Sequence, residues 1–458
     1  MNRFRFVKLS TVKLIIFFFL LIVALLYMHG AVLHAAYVNR DMDNTDQGVY
    51  LNETEEIIMR ENRNFWMVGR NRMPVFHFLL SLIYDADKNK FFFKGKLLNI
   101  TLSLLYLSIL FFIFQKKLST FSSINLILIT AFTVFIFRSP YVQAEITFYF
   151  LFFVCFLLLS SLLVKPSPWL SILVGTLAGI THLTKASALP LLIVFILLSS
   201  LKLILKLIGK NRQKFSKTVF LFISLSLFVL SFLFTTGPYL YQSKKIFGSY
   251  FYNVNSTFYL WYDSWEEAKK GTFTYNDMGQ YPNIPGELLP SPQKYFREHN
   301  FNQIKERLNH GKNEVLSYIF NINHPYWKEW IYGYGKYFLV ILIGLFIGLQ
   351  ARPKKIINFL RESHLGIIFF LAVFIVYAIL ICWYTSIASG NRFVLTLFLP
   401  TIFFLYSGFS KINEDFNLML CGVKIKFVNL FNSILFLYLC YDIYTVLTFK
   451  IFFINGGP

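Results

Sequence analysis

Apolar runs of roughly 17 to 25 residues recur along most of this chain, and each can cross a hydrocarbon layer as a helix. With 56% of its 458 residues hydrophobic, 15% charged and a mean hydropathy of +0.55, the sequence excludes an ordinary soluble enzyme. It reads as an all-α polytopic membrane protein. Spans are predicted near 11–28, 97–114, 121–137, 146–164, 169–183, 187–205, 218–236, 337–350, 365–384, 393–409 and 427–449, about eleven in all. The first run follows Arg3, Arg5, Lys8 and Lys13 and has no small-residue cleavage site behind it, so it is read as a span and not as a removed signal.

Charge orients these spans. With the N-terminus placed in the cytoplasm, the inner segments carry 20 Lys and Arg against 3 acids, a net of +17, and the rest carries 24 against 20, a net of +4. Cytoplasmic loops are enriched in Lys and Arg, so the asymmetry supports this direction. It also accounts for the overall charge of +21 without nucleic acid as a partner. Cys155, Cys382, Cys421 and Cys440 lie in or beside apolar runs with no CxxC pair, which argues against a disulfide framework or a zinc site.

Three units are expected: 1–236, a membrane module with a long first outer loop at 29–96; 237–336, an extracytoplasmic cap; and 337–458, the last membrane helices. Loops of such length are usually functional or disordered. The first should hold a helix over Gly48–Glu61 and a short apolar piece, Val75–Tyr84, lying at the interface. The second contains Pro238, Pro282, Pro285, Pro290, Pro292 and Pro325 with aromatics and mixed charge.

This topology gathers distant polar residues at one membrane face: Asp41, Asp43 and Asp46; Arg70, Asn71 and Arg72; Arg138 to Glu145; His182, Thr184 and Lys185; Asn391 and Arg392. Ionisable groups at membrane depth cost several kcal/mol unless paired, so cations collected beside carboxylates suit a phosphate and a proton acceptor. Plainer roles compete. Lys185 and Arg392 could as well reach the interface with their charged ends. Asp46 could favour a helix N-terminus, Glu145 could cap the fourth span, and His182 and His77 taken singly read as packing residues. Asp442, within the last span, should pair with a neighbouring polar group. Trp261, Tyr262, Asp263 and Trp265 suit contact with a sugar or acceptor, or an interfacial aromatic belt.

Five strings share a resemblance. DQGVY (Asp46–Tyr50) resembles the acidic first-loop motif of the GT-C glycosyltransferases, and RNRMPVFHFLLSLIY (Arg70–Tyr84) resembles the second part of that loop. YVQAEITFYFLFF, GTLAGITHLTKASALP (Gly175–Pro190) and GNRFVLTLFLP are similar to that superfamily's second acidic loop, its Gly-to-Lys segment and its later Arg-to-Pro segment. The likeness covers about the first 190 residues plus the 390s. One departure is Gln47, where many members carry a second carboxylate.

The resemblance implies transfer of a sugar from a polyprenyl-phosphate donor to a glycan, lipid or protein on the extracytoplasmic side. Asp46 would act as base. Lys185 and Arg392, assisted by Arg72 or Arg138, would hold the phosphate. Asp43, Gln47, Tyr50, Glu145 and His182 would support them, and Trp261 and Asp263 would meet the acceptor. No cofactor and no metal ligands are expected. A membrane polysaccharide polymerase or ligase, and a lipid-linked sugar flippase, remain the alternatives.

Overall fold

The computed structural model describes residues 2–43, 45–60, 64–67, 72–208, 215–274, 290–320, 334–388, 391–420 and 422–453. Among them, nine helices are long and apolar enough to cross a membrane: Lys13–Tyr37, Lys88–Gln115, Thr120–Arg138, Glu145–Val164, Ala186–Ile208, Thr218–Phe247, Pro353–Tyr384, Arg392–Ile412 and Phe427–Phe453. Pro168–Thr184 and Gly335–Ala351 are shorter apolar helices. Every predicted span falls on one of these.

Helix ends run beyond the predicted ones. The first helix continues to Tyr37, the next begins at Lys88, and Phe215–Phe247 carries Pro238 inside it, so both long outer segments are shorter than expected. Hydropathy marks only the part of a helix that needs hydrocarbon. The helical backbone satisfies itself further out, where polar side chains can reach water.

Burial ranks the helices. Only 22% of the first helix's apolar window is buried in protein, against 83% for Thr120–Arg138 and 67% for both Glu145–Val164 and Arg392–Ile412. The last three therefore form the centre of the bundle, and the ends of two of them carry the site described below. Pro168–Thr184 packs closely on Phe215–Phe247 through a small-residue face. A Cβ on Gly175 would sit 2.4 Å from the Phe228 carbonyl oxygen, and one on Gly179 2.7 Å from Thr235 Cβ. Small residues spaced four apart let membrane helices approach in this way. The glycines of the Gly175–Pro190 string are thus packing residues that fix where Lys185 emerges.

The first outer loop is compact. Its helix spans Gln47–Met59, and Pro74–Ser81 forms a second, with Phe76, His77 and Leu80 fully buried. The Val75–Tyr84 piece buries one face, where Phe76 and Leu80 join Tyr50, Leu51, Phe91, Phe92 and Val142 in a separate apolar core, and leaves Phe78 and Leu82 exposed on the other.

The second outer segment holds helices Trp265–Thr274, Pro292–Glu298 and Phe301–Phe320, the last of which meets Pro353–Tyr384 at Gly311, where any Cβ would collide with the Cys382 carbonyl. Two short strands, Asn417–Leu420 and Val423–Lys426, pair antiparallel with Asn417 opposite Lys426 and turn at Gly422, whose φ is +79°. That hairpin is a small departure from the all-α expectation.

Candidate active site at one end of the bundle

Asp46 immediately precedes the Gln47–Met59 helix, where its chain is held by an amide network. Asn39 Nδ2 donates to Gln47 Oε1 (2.9 Å) and to the Pro140 carbonyl (2.8 Å), Gln47 Nε2 donates to Asn39 Oδ1 (2.8 Å), and Val142 N donates to Gln47 Oε1 (2.9 Å). Two outer loops a hundred residues apart are tied together by these bonds. Gln47 is fully buried and needs both its donor and its acceptor, which a carboxylate would not supply. Gln47, expected as a supporting residue, thus braces the backbone that carries Asp46. The left-handed Thr45, at φ +73°, turns the chain just before Asp46, and its hydroxyl accepts from Gln143 Nε2 at 2.7 Å.

From that anchor Asp46 meets two arginines from distant parts of the chain. Its Oδ1 lies 3.1 Å from Arg72 Nη2 and its Oδ2 lies 2.8 Å from Arg392 Nη1. Glu145, the first residue of its helix, lies 2.8 Å from Lys185 Nζ and 4.0 Å from Arg392 Nη1. Lys185 also stands over the Phe148 and Phe393 rings, 5.8 and 5.3 Å from their centroids. The Arg72 guanidinium sits 5.1 Å from the Tyr50 ring centre. Tyr149 donates to the Arg392 carbonyl at 2.6 Å, which fixes the backbone from which Arg392 reaches in.

Asp46, Arg72, Glu145, Lys185 and Arg392 thus converge as the topology predicted, with Tyr50 of the DQGVY string beside Arg72. The structure adds Glu53 and His77. Glu53 lies 3.5 Å from Arg72 and 3.2 Å from His77 Nε2, while His77 Nδ1 is 3.0 Å from the Thr54 hydroxyl. Glu53 was legible in principle, because it follows Asp46 by seven residues, two helical turns, and so shares its face.

The cluster holds three cations and three carboxylates, closed on one another. The Asp46 side chain is 40% exposed and that of Glu145 only 4%, so an acceptor can reach the first and not the second. Burial pushes the Asp46 carboxyl up, but the charges of Arg72 and Arg392 outweigh it and hold the group below its usual range. Burial and the negative charge of Glu145 push the Tyr50 phenol well above its usual range, so it stays protonated as a donor.

Three of the expected members lie elsewhere. Arg138 is buried, makes no ion pair among the described residues, and has an Nη1 without a hydrogen-bond partner. His182 packs between the rings of Phe232 (5.9 Å) and Phe251 (6.0 Å), the packing role that its apolar helix favours. Asp43 stands at the surface beside Gly48, where a Cβ would lie 3.1 Å from its Oδ1. Arg70 and Asn71 fall outside the described residues.

Trp261 and Asp263 form a neighbouring cluster. Asp263 pairs with His299 (2.8 Å) and Arg307 (3.4 Å) and accepts from Tyr295 (3.1 Å), and Trp261 packs on Tyr295, Phe296 and Trp383. Tyr384 links this second outer segment to the ion cluster: its hydroxyl donates to Asn255 at 2.8 Å and its ring packs on Phe393 at 5.2 Å. Among the described residues, no group of three His, Cys, Asp or Glu could hold a metal ion.

A second buried network confirms the expectation for Asp442. That carboxylate accepts from Lys336 (2.8 Å), Tyr337 (2.5 Å) and Lys450, tying the last helix to the start of Gly335–Ala351.

Fold and composition define a helical integral membrane protein with a charged cluster at one end of its bundle. No protein family, curated protein or solved structure matches the chain.

Proposed function

We propose that this protein is an inverting glycosyltransferase of the GT-C kind, moving a sugar from a polyprenyl-phosphate donor to an acceptor outside the cytoplasm. The observation that carries the reading is Asp46, the most accessible carboxylate of the cluster, bridged to Arg72 and Arg392 from remote segments at 3.1 and 2.8 Å. In this reading the chain crosses the membrane eleven times, the two shorter apolar helices included, with its N-terminus in the cytoplasm. The three units at 1–236, 237–336 and 337–458 then serve as catalytic module, cap and closing helices.

The acceptor oxygen attacks the anomeric carbon as the bond from that carbon to the phosphate oxygen breaks. The electron pair leaves with the phosphate, the acceptor proton passes to Asp46, and the products are an inverted glycoside and a polyprenyl phosphate. A placed base of this kind contributes about 10² to 10⁴ in rate. Arg392, Lys185 and Arg72 stabilise the negative charge that grows on the departing phosphate, an effect stronger in the transition state than in binding. Because these cations already hold carboxylates, a donor phosphate must displace them. Asp46 would then lose part of the charge that depresses its basicity and become a better proton acceptor when the donor is present. The aromatic cluster around Trp261, joined to the site through Tyr384, offers ring faces for the acceptor.

In proteoliposomes given a polyprenyl-phosphate sugar and extracts of envelope glycans, Asp46→Asn should bind donor and lose transfer. Near-wild-type turnover by that variant would remove Asp46 from the reaction. Mass spectrometry of glycolipids and surface glycans from a strain lacking the protein would name sugar and acceptor from one mass difference.

A further inference from the structure

The helices Glu145–Val164 and Arg392–Ile412 each begin at the ion cluster and end at a second feature. At a rise of about 1.5 Å per residue, Ser160 lies roughly 22 Å along its helix from Glu145, and Lys411 roughly 28 Å from Arg392. Between these far ends is a cavity of about 620 Å³, within the range of roughly 300–1,000 Å³ common for ligand sites.

One part of its lining is hydroxylic and basic. Ser407, Ser410 and Lys411 share a helical face at spacings of three and four, opposite Ser363, with Lys117 and Lys426 also lining the space. The hydroxyls of Ser407 and Ser410 are buried and have no hydrogen-bond partner among the described residues, although buried polar groups normally find one. Lys411 is paired with Glu362 at 2.8 Å, whereas Lys117 and Lys426 make no ion pair among the described residues. Among the described residues, Glu414 is the one acid in the lining. Phe156, Leu157, Ile367, Phe403 and Phe404 form an apolar wall, and Ser119, Ser122, Ser160 and Asn429 line the space as well.

We propose that this cavity binds an anionic phospholipid, its phosphate held by Lys117 and Lys426 and the serine hydroxyls, and its proximal acyl chain laid against the phenylalanines. Two features select an amphiphile over a free anion. The apolar wall would remain wet around inorganic phosphate, and the apolar helices place the cavity in a bundle surrounded by lipid. Charge selects an anionic headgroup, because a zwitterionic one carries its own cation toward the two lysines. The site is separate from the ion cluster and stands independently of the proposed transfer reaction.

The test is a titration of the purified full chain in neutral detergent with short-chain phosphatidylglycerol, phosphatidylcholine and inorganic phosphate, read by native mass spectrometry and thermal shift. Phosphatidylglycerol should bind about tenfold more tightly than phosphatidylcholine. That preference should vanish in Lys117→Gln/Lys426→Gln, and phosphatidylglycerol binding should weaken in Ser407→Leu, which fills the cavity without altering charge. Both variants should melt like the parent in the absence of lipid. Undiminished preference in the lysine variant, unweakened binding in the leucine variant, or equal stabilisation by inorganic phosphate alone would overturn the proposal.

Discussion

Replacing Glu145 by glutamine tests the electrostatics of the cluster most directly, because shape is kept while charge is lost. The Glu145 side chain is 4% exposed and lies 2.8 Å from Lys185 and 4.0 Å from Arg392, so Glu145→Gln leaves Lys185 without its nearest counter-charge and Arg392 with Asp46 alone. Breaking a buried pair by removing one partner costs about 3–5 kcal/mol. Lys185 is 21% exposed, which lets water recover part of this, so the lower end, about 3 kcal/mol, is expected. The same change frees cations for an anion. At 4 Å and an effective dielectric constant of about 20, removing one repelling charge is worth up to roughly 4 kcal/mol.

The variant should therefore melt earlier than the parent in plain buffer, yet gain more thermal stability from an added lipid phosphate. A ligand at 100 times its dissociation constant adds about 2.7 kcal/mol, enough to return most of the loss. Tryptophan fluorescence during heating, with and without polyprenyl phosphate, reads both effects. A variant as stable as the parent, or one no more responsive to the phosphate, would show that Glu145 does not balance these cations.

Gly179→Leu should separate two membrane helices, because its new side chain starts 2.7 Å from Thr235; reduced yield of folded protein by size-exclusion chromatography is the readout. Asp442→Asn should destabilise the chain by about 3–5 kcal/mol by leaving Lys336 and Lys450 without their shared carboxylate, whereas near-neutral melting would refute that dependence. For Asp46, whose folded pKa is depressed, the stability contribution is present above the unfolded value near 3.8 and is lost as pH falls through the lower folded value. The melting difference between the parent and Asp46→Asn should accordingly be constant near neutrality and shrink below about pH 4; a difference unchanged at pH 3 would count against the two arginine contacts.

The positions of the membrane helices were set by the sequence itself, since apolar length decides what can cross hydrocarbon and is a local property that no distant contact alters. The gathering of Asp46, Arg72, Glu145, Lys185 and Arg392 was also anticipated, because alternating spans dictate which turns share a face. Local patterns could not say which of those turns touch. That Arg392 and not Arg138 reaches Asp46, that Gln47 is a brace, that Glu53 and His77 stand behind Arg72, and that the Pro74–Ser81 helix buries one face all depend on contacts between separate segments of the chain. Hydropathy records how each residue prefers its solvent, and only close packing in three dimensions decides which neighbour replaces that solvent.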